Sequence, residues 1–87
     1  MIPDNICQSC TMPIDNLEDR GTEKDGAKNN LFCKYCYDDG AFTDPEMTLE
    51  QMKIHVIAEM EKLKLPENTI HYALNLLPHL KRWQLFG

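Results

Sequence analysis

Four cysteines, the only ones among 87 residues, form two matched pairs: Cys7-Gln8-Ser9-Cys10 and Cys33-Lys34-Tyr35-Cys36. Two residues between paired cysteines let one tight turn present both sulfurs to one ion. Two such turns complete a thiolate tetrahedron with metal–sulfur bonds of about 2.3 Å. The spacing therefore predicts one closed four-cysteine site at Cys7, Cys10, Cys33 and Cys36, with structural Zn(2+), one per chain, as the expected occupant. A four-thiolate iron centre is chemically possible in the same shell. A catalytic zinc is disfavoured, because four sulfurs leave no position for water. A redox dithiol needs only one pair, preferably opening a helix.

Such a site is also what a chain this short needs. A domain of this size buries only about 60% of its unfolded surface, so a metal or disulfide staple is expected. The sequence carries no apolar run of membrane-spanning length. Its start, Met1-Ile2-Pro3-Asp4-Asn5, has no basic stretch followed by an apolar one and does not resemble a signal peptide. The expected compartment is cytoplasmic, where thiols stay reduced and paired cysteines bind metal before they form disulfides. The formal net charge is −5, and four thiolates with one Zn²⁺ take it to −7. That balance disfavours nucleic acid and favours a protein partner. No membrane contact and no small-molecule substrate are expected.

Composition changes near residue 44. Residues 1–44 hold every cysteine and few large aliphatics, and read as a zinc-binding module of loops and short strands. Asp25-Gly26 is a hairpin-turn dipeptide. Thr22-Glu23 before it and Leu31-Phe32 after it are candidate strands that bring the second pair back to the first. Gly40 is placed to end a helical turn or to make a tight corner. Residues 45–87 read as a helical hairpin packed on that module in one compact unit. Thr48-Leu49-Glu50-Gln51 is a capping box. Leu49, Met52, Val56, Met60 and Leu63 follow at spacings of three and four, the stripe of an amphipathic helix ended by Leu65-Pro66. A second helix is predicted over Glu67–Leu77, with Ile70, Ala73, Leu74 and Leu77 on one face. Pro78 opens a short third helix to about Leu85 as a first-turn proline, with Leu77, Leu80 and Trp83 along one side.

Other residues have a plain reading and a functional one. Tyr35, Tyr37 and Phe42 flank the second pair and either cover the metal site or form a recognition patch. Lys81-Arg82-Trp83 is either a helix end whose cations complement the C-terminal dipole or a basic-aromatic contact for a partner or nucleic acid. His55, His71 and His79 lack ligand-like partners and are expected at the helix surface.

Together, Cys7-x-x-Cys10-Thr-Met-Pro-Ile, Gly21-Thr, Asp25-Gly26, Phe32-Cys33-x-Tyr35-Cys36-Tyr37-x-Asp-Gly40-x-Phe42 and the ending Leu77-Pro78-x-Leu80-Lys81-Arg82-Trp83 resemble the putative zinc ribbon domain family of bacteria and archaea. The resemblance spans nearly the whole chain. It implies a small zinc-binding protein, found alone or attached to transcription-regulator domains, with no established enzymatic activity and with the four cysteines as ligands. Two positions depart from the pattern. Thr11 stands where the family often has glycine, at a point where ribbon knuckles adopt positive φ. The second pair has no glycine until Gly40, as when a treble-clef finger runs from its second pair into a helix.

The expected fold class is thus small α+β: a four-cysteine zinc ribbon-like or treble-clef-like N-terminal module followed by a C-terminal helical hairpin. The expected function is a non-enzymatic structural zinc-binding protein, acting as a protein-interaction or adaptor module linked to transcription regulation. The alternative is a nucleic-acid-binding transcriptional regulator.

Overall fold

A computed structural model describes residues 5–85; of the Met1–Asn5 start, read as unlike a signal peptide, residues 1–4 lie outside them. The chain is a small α+β fold, with two two-stranded antiparallel sheets followed by helices. The strands are β1 (Arg20–Thr22), β2 (Lys28–Cys33), β3 (Tyr37–Asp38) and β4 (Ala41–Phe42). The helices are α1 (Leu49–Lys62), α2 (Glu67–Leu76) and α3 (Lys81–Leu85), with 3-10 turns at Leu17–Asp19 and Leu77–His79.

The first hairpin turns at the dipeptide singled out in the sequence. Gly26 adopts φ +87°, its N–H donates to the Glu23 carbonyl at 3.0 Å, and Ala27 N–H donates to Asp25 Oδ1 at 3.0 Å. The strands run one step earlier on the first arm than expected, ending at Thr22, and β2 is longer than Leu31-Phe32. The pairing is irregular: Thr22 opposes Lys28 but Arg20 opposes Cys33. The extra residues of β2 form a bulge held by Asn29, whose Oδ1 accepts from the Leu31 and Phe32 amides at 2.7 and 2.9 Å. The bulge sets two contacts. It leaves the Leu31 carbonyl free to accept from Gln8 N–H at 2.6 Å, and it turns Phe32 inward, where only 7% remains exposed.

The second pair does not run into a helix. Tyr37 pairs with Phe42 and Asp38 with Ala41 across a two-residue turn, Asp39-Gly40, in which both residues have positive φ (+53° and +81°). This is the twisted tight corner that Asp-Gly favours. It corrects the treble-clef alternative: the module is ribbon-like, with a hairpin after each arm. The two hairpins lock through Thr22, whose carbonyl accepts from Gly40 N–H at 2.9 Å and whose hydroxyl donates to Asp38 Oδ1 at 2.9 Å.

The capping box forms as expected. Gln51 N–H donates to Thr48 Oγ1 at 3.1 Å, and Thr48 N–H donates to Gln51 Oε1 at 2.9 Å. Met52 and Val56 are buried, whereas Leu63, placed on the stripe from its spacing, is 70% exposed. Leu63 caps α1 and the chain turns away at Lys64, which takes φ +58°, so the last stripe position points past the core. Pro78 acts earlier than expected. Lacking an N–H, it cannot extend α2, which stops at Leu76 and tightens into the Leu77–His79 turn. Leu80 is extended (φ −72°, ψ 153°), and α3 starts only at Lys81, three residues after the predicted proline start. Lys81 therefore opens α3 rather than closing it, while Arg82 lies in the last turn of this five-residue helix.

One continuous apolar core joins Cys7, Ile14, Phe32, Cys33 and Cys36 to Met52, Val56, Ala73, Leu77, Leu80 and Trp83. Leu77 and Leu80 are fully buried. The C-terminal segment is thus packed into the same interior as the cysteine turns. Among the described residues, no helix is long and apolar enough to cross a membrane.

Candidate metal centre

The first cysteine turn begins as a short β-like approach, with Ile6 bridged to Pro13 and Cys7 N–H donating to the Met12 carbonyl at 2.7 Å. The second follows directly from β2, with Cys36 N–H donating to the Cys33 carbonyl at 3.1 Å. Between them the four sulfurs converge, all within 4.8 Å of one another. Cys10 Sγ and Cys33 Sγ are 3.7 Å apart. A sulfur tetrahedron around an ion at about 2.3 Å has edges of about 3.8 Å, so the cluster fits a metal ion. The four thiols are free, and a metal ion rather than a disulfide accounts for the spacing. Cys7 and Cys33 are fully buried, Cys36 is 7% exposed, and Cys10 is half-buried.

One backbone contact favours an anionic sulfur at Cys7. Cys33 N–H donates to Cys7 Sγ at 3.2 Å, the type of backbone contact that disperses thiolate charge. Thiols this close cannot all ionise without a cation between them. Hydrogen bonding to Cys10 pulls Cys33 below the ordinary thiol range, and the reciprocal interaction with Cys33 pushes Cys10 well above it. A divalent cation removes that conflict by holding all four as thiolates.

Thr11 closes the first turn. Its N–H donates to the Cys7 carbonyl at 3.0 Å with φ +73°, the left-handed conformation anticipated from the glycine usual at this position. A β-branched residue is strained there, and its Oγ1 is buried with no hydrogen-bond partner among the described residues. Thr11→Gly removes both penalties and loses a buried methyl group and some chain entropy. We expect a net stabilisation of about 1 kcal/mol, read as a higher denaturant midpoint of the metal-loaded protein; a lower midpoint would contradict the strain assignment.

The structure separates the remaining candidates. Phe32, Tyr37 and Phe42 form an aromatic cluster beside the second turn, with centroids 4.9–5.6 Å apart. Tyr37 OH donates to Glu23 Oε1 at 2.9 Å. Tyr35 alone of the flanking aromatics faces solvent, 66% exposed. His55, His71 and His79 are exposed, and none joins the sulfur cluster. Lys81-Arg82-Trp83 is not a surface contact: Arg82 is 3% and Trp83 7% exposed. Trp83 Nε1–H donates to the Ser9 carbonyl at 2.9 Å, and Arg82 Nη1 donates to Ser9 Oγ at 3.1 Å. Gln8 caps α3 in return, its carbonyl accepting from Arg82 N–H at 3.1 Å and its Oε1 from Lys81 N–H at 3.3 Å.

The sequence reading assigned no role to Gln8 and Ser9, the two residues between the first cysteines. Their only sequence signal was polarity at positions the metal turn must bury. They carry the contacts between the metal turn and the C-terminus.

Neither any curated protein nor any solved structure matches the chain significantly. The family described as the putative zinc ribbon domain matches residues 6–84, from just before the first cysteine to just past Trp83. With that match covering both cysteine turns and the C-terminal clasp, the chain belongs to the putative zinc ribbon domain family.

Proposed function

We propose that this chain is a non-enzymatic, zinc-binding interaction module whose metal centre shapes a surface for a protein partner in the cytoplasm. Zn²⁺ is the metal of choice because four thiolates in a tetrahedron match its preferences and the cytoplasm keeps the thiols reduced. A four-sulfur shell is closed, which supports a structural role for the metal. The link to transcription regulation rests on the family resemblance.

One observation carries the interaction reading. An apolar groove of about 690 Å³ runs between the cysteine turns and α1. Met12, Met47 and Met60 line it, with Leu63 and Tyr35 exposed at its edge and Asp44 and Glu59 as its acidic residues. Methionine-rich apolar surfaces adapt to partner side chains. The nucleic-acid alternative loses its main support, because Arg82 and Trp83 are internal and the net charge is −5.

The test is a photo-crosslinking amino acid at Leu63 in the groove and, as a control, at the equally exposed Ile54 outside it. One protein adduct specific to the Leu63 position supports the reading. Indistinguishable adduct patterns at the two positions, or none from either, contradict it.

A further inference from the structure

Arg82 is a buried cation whose direct partners are neutral. Nη1 donates to Ser9 Oγ at 3.1 Å and Nη2 to the Asp44 carbonyl at 2.7 Å. Its guanidinium lies 4.2 Å from the Phe42 ring centroid and 4.7 Å from that of Trp83. Among the described residues, the ion pairs join Lys34 to Asp19, Lys53 to Glu50 and Lys62 to Glu59, and none involves Arg82. Burying a guanidinium without a counter-charge is strongly unfavourable. Aromatic faces and carbonyl dipoles offset only part of that cost.

A second imbalance lies beside the first. Four thiolates around a divalent ion carry a net charge of −2 inside the same core, with Cys7 and Cys33 fully buried. Arg82 lines the same groove as Cys10 and Cys36, and Ser9, which it grips, sits between the first two ligands. We propose that Arg82 is the internal counter-cation of the metal–thiolate centre, so that metal binding and the docking of α3 onto the first cysteine turn stabilise each other. The inference rests on the zinc reading. It goes beyond that reading by making the C-terminal helix part of the metal centre's electrostatics.

The balance works in both directions. Without the centre's negative charge, Arg82 has no buried anion to offset its desolvation, and α3 is held only by packing and the Gln8 and Ser9 hydrogen bonds. Without Arg82, the centre keeps its ligands but faces its net charge alone. Burial lowers the Arg82 pKa from the ordinary guanidinium range, and the neighbouring charges at Cys36, Asp44, Cys7 and Cys10 offset only part of that cost.

The test compares Arg82→Met, which keeps much of the length and apolar packing but removes the charge, with Arg82→Lys, which keeps the charge but loses the planar fork. Zinc affinity is measured by competition with a chromophoric chelator on full-length reduced protein. We expect Arg82→Met to bind zinc about 10–100-fold more weakly, the range seen when partners just outside a ligand shell are lost. Arg82→Lys should recover most of that loss. Met and Lys variants equally weakened would show that Arg82 acts by shape alone, and a Met variant within about twofold of the parent would show no coupling; either overturns the proposal. The parent protein's own zinc affinity separates these outcomes from failure of the zinc reading itself.

Discussion

Stripping the metal with a strong chelator under reducing conditions is expected to unfold much more than the cysteine turns. The amide signals of residues 6–44 should lose dispersion, and those of Leu77 to Gln84 should lose hydrogen-exchange protection with them. The reason is the shared interior. A metal bound by the four cysteines would hold the Cys7–Cys10 turn; that turn supplies the Ser9 carbonyl and the Gln8 cap to α3, and Trp83, Leu80 and Leu77 pack against the same cluster. Structural zinc in small domains contributes roughly 10–16 kcal/mol of apparent binding energy. That exceeds the whole stability of many domains, about 5–15 kcal/mol. Helix α1 has its own capping box, so circular dichroism should retain part of its helical signal. An unchanged spectrum after verified metal removal would contradict this coupling.

The second large effect is expected at Trp83. From the sequence, Trp83 reads either as part of an apolar side with Leu77 and Leu80 or as part of a Lys81-Arg82-Trp83 contact patch, and a surface substitution in such a patch costs under about 0.5 kcal/mol. In the structure Trp83 is 7% exposed and its indole N–H satisfies the buried Ser9 carbonyl. Trp83→Ala should therefore cost about 3–5 kcal/mol for lost packing, and the unpaired carbonyl adds to that loss. Denaturant titration of the zinc-loaded variant reads it directly. Trp83→Phe, which keeps most of the apolar volume, should lose less. A Trp83→Ala variant as stable as the parent would return this residue to the surface.

The cysteine cluster and the C-terminal clasp at Trp83 differ in how far the sequence announces them. The convergence of the four cysteines was legible because they form local pairs with a fixed chemical demand. The capping box was legible because its partners lie three residues apart, and the Asp25-Gly26 turn because backbone sterics select that dipeptide; at Gly40 a helical end and a tight corner were both open, and the corner formed. The positive φ at Thr11 followed from comparison with a glycine position. What was not legible depended on partners far apart in the chain. Ser9 and Trp83 are 74 residues apart, and no local pattern announces their hydrogen bond. The β2 bulge at Asn29 and the exposure of Leu63 have the same origin: each depends on where a neighbouring segment leaves room. The role of Arg82 is the extreme case, since a basic residue beside an aromatic reads as surface until its burial is known.

The central claim is that one zinc ion, held by Cys7, Cys10, Cys33 and Cys36, organises this fold. Native mass spectrometry of protein purified without added metal, paired with elemental analysis, tests it most directly. One zinc per chain is expected in the folded charge states, with loss of both zinc and those charge states in Cys33→Ser. Folded protein carrying no metal, or carrying iron in place of zinc, would contradict it.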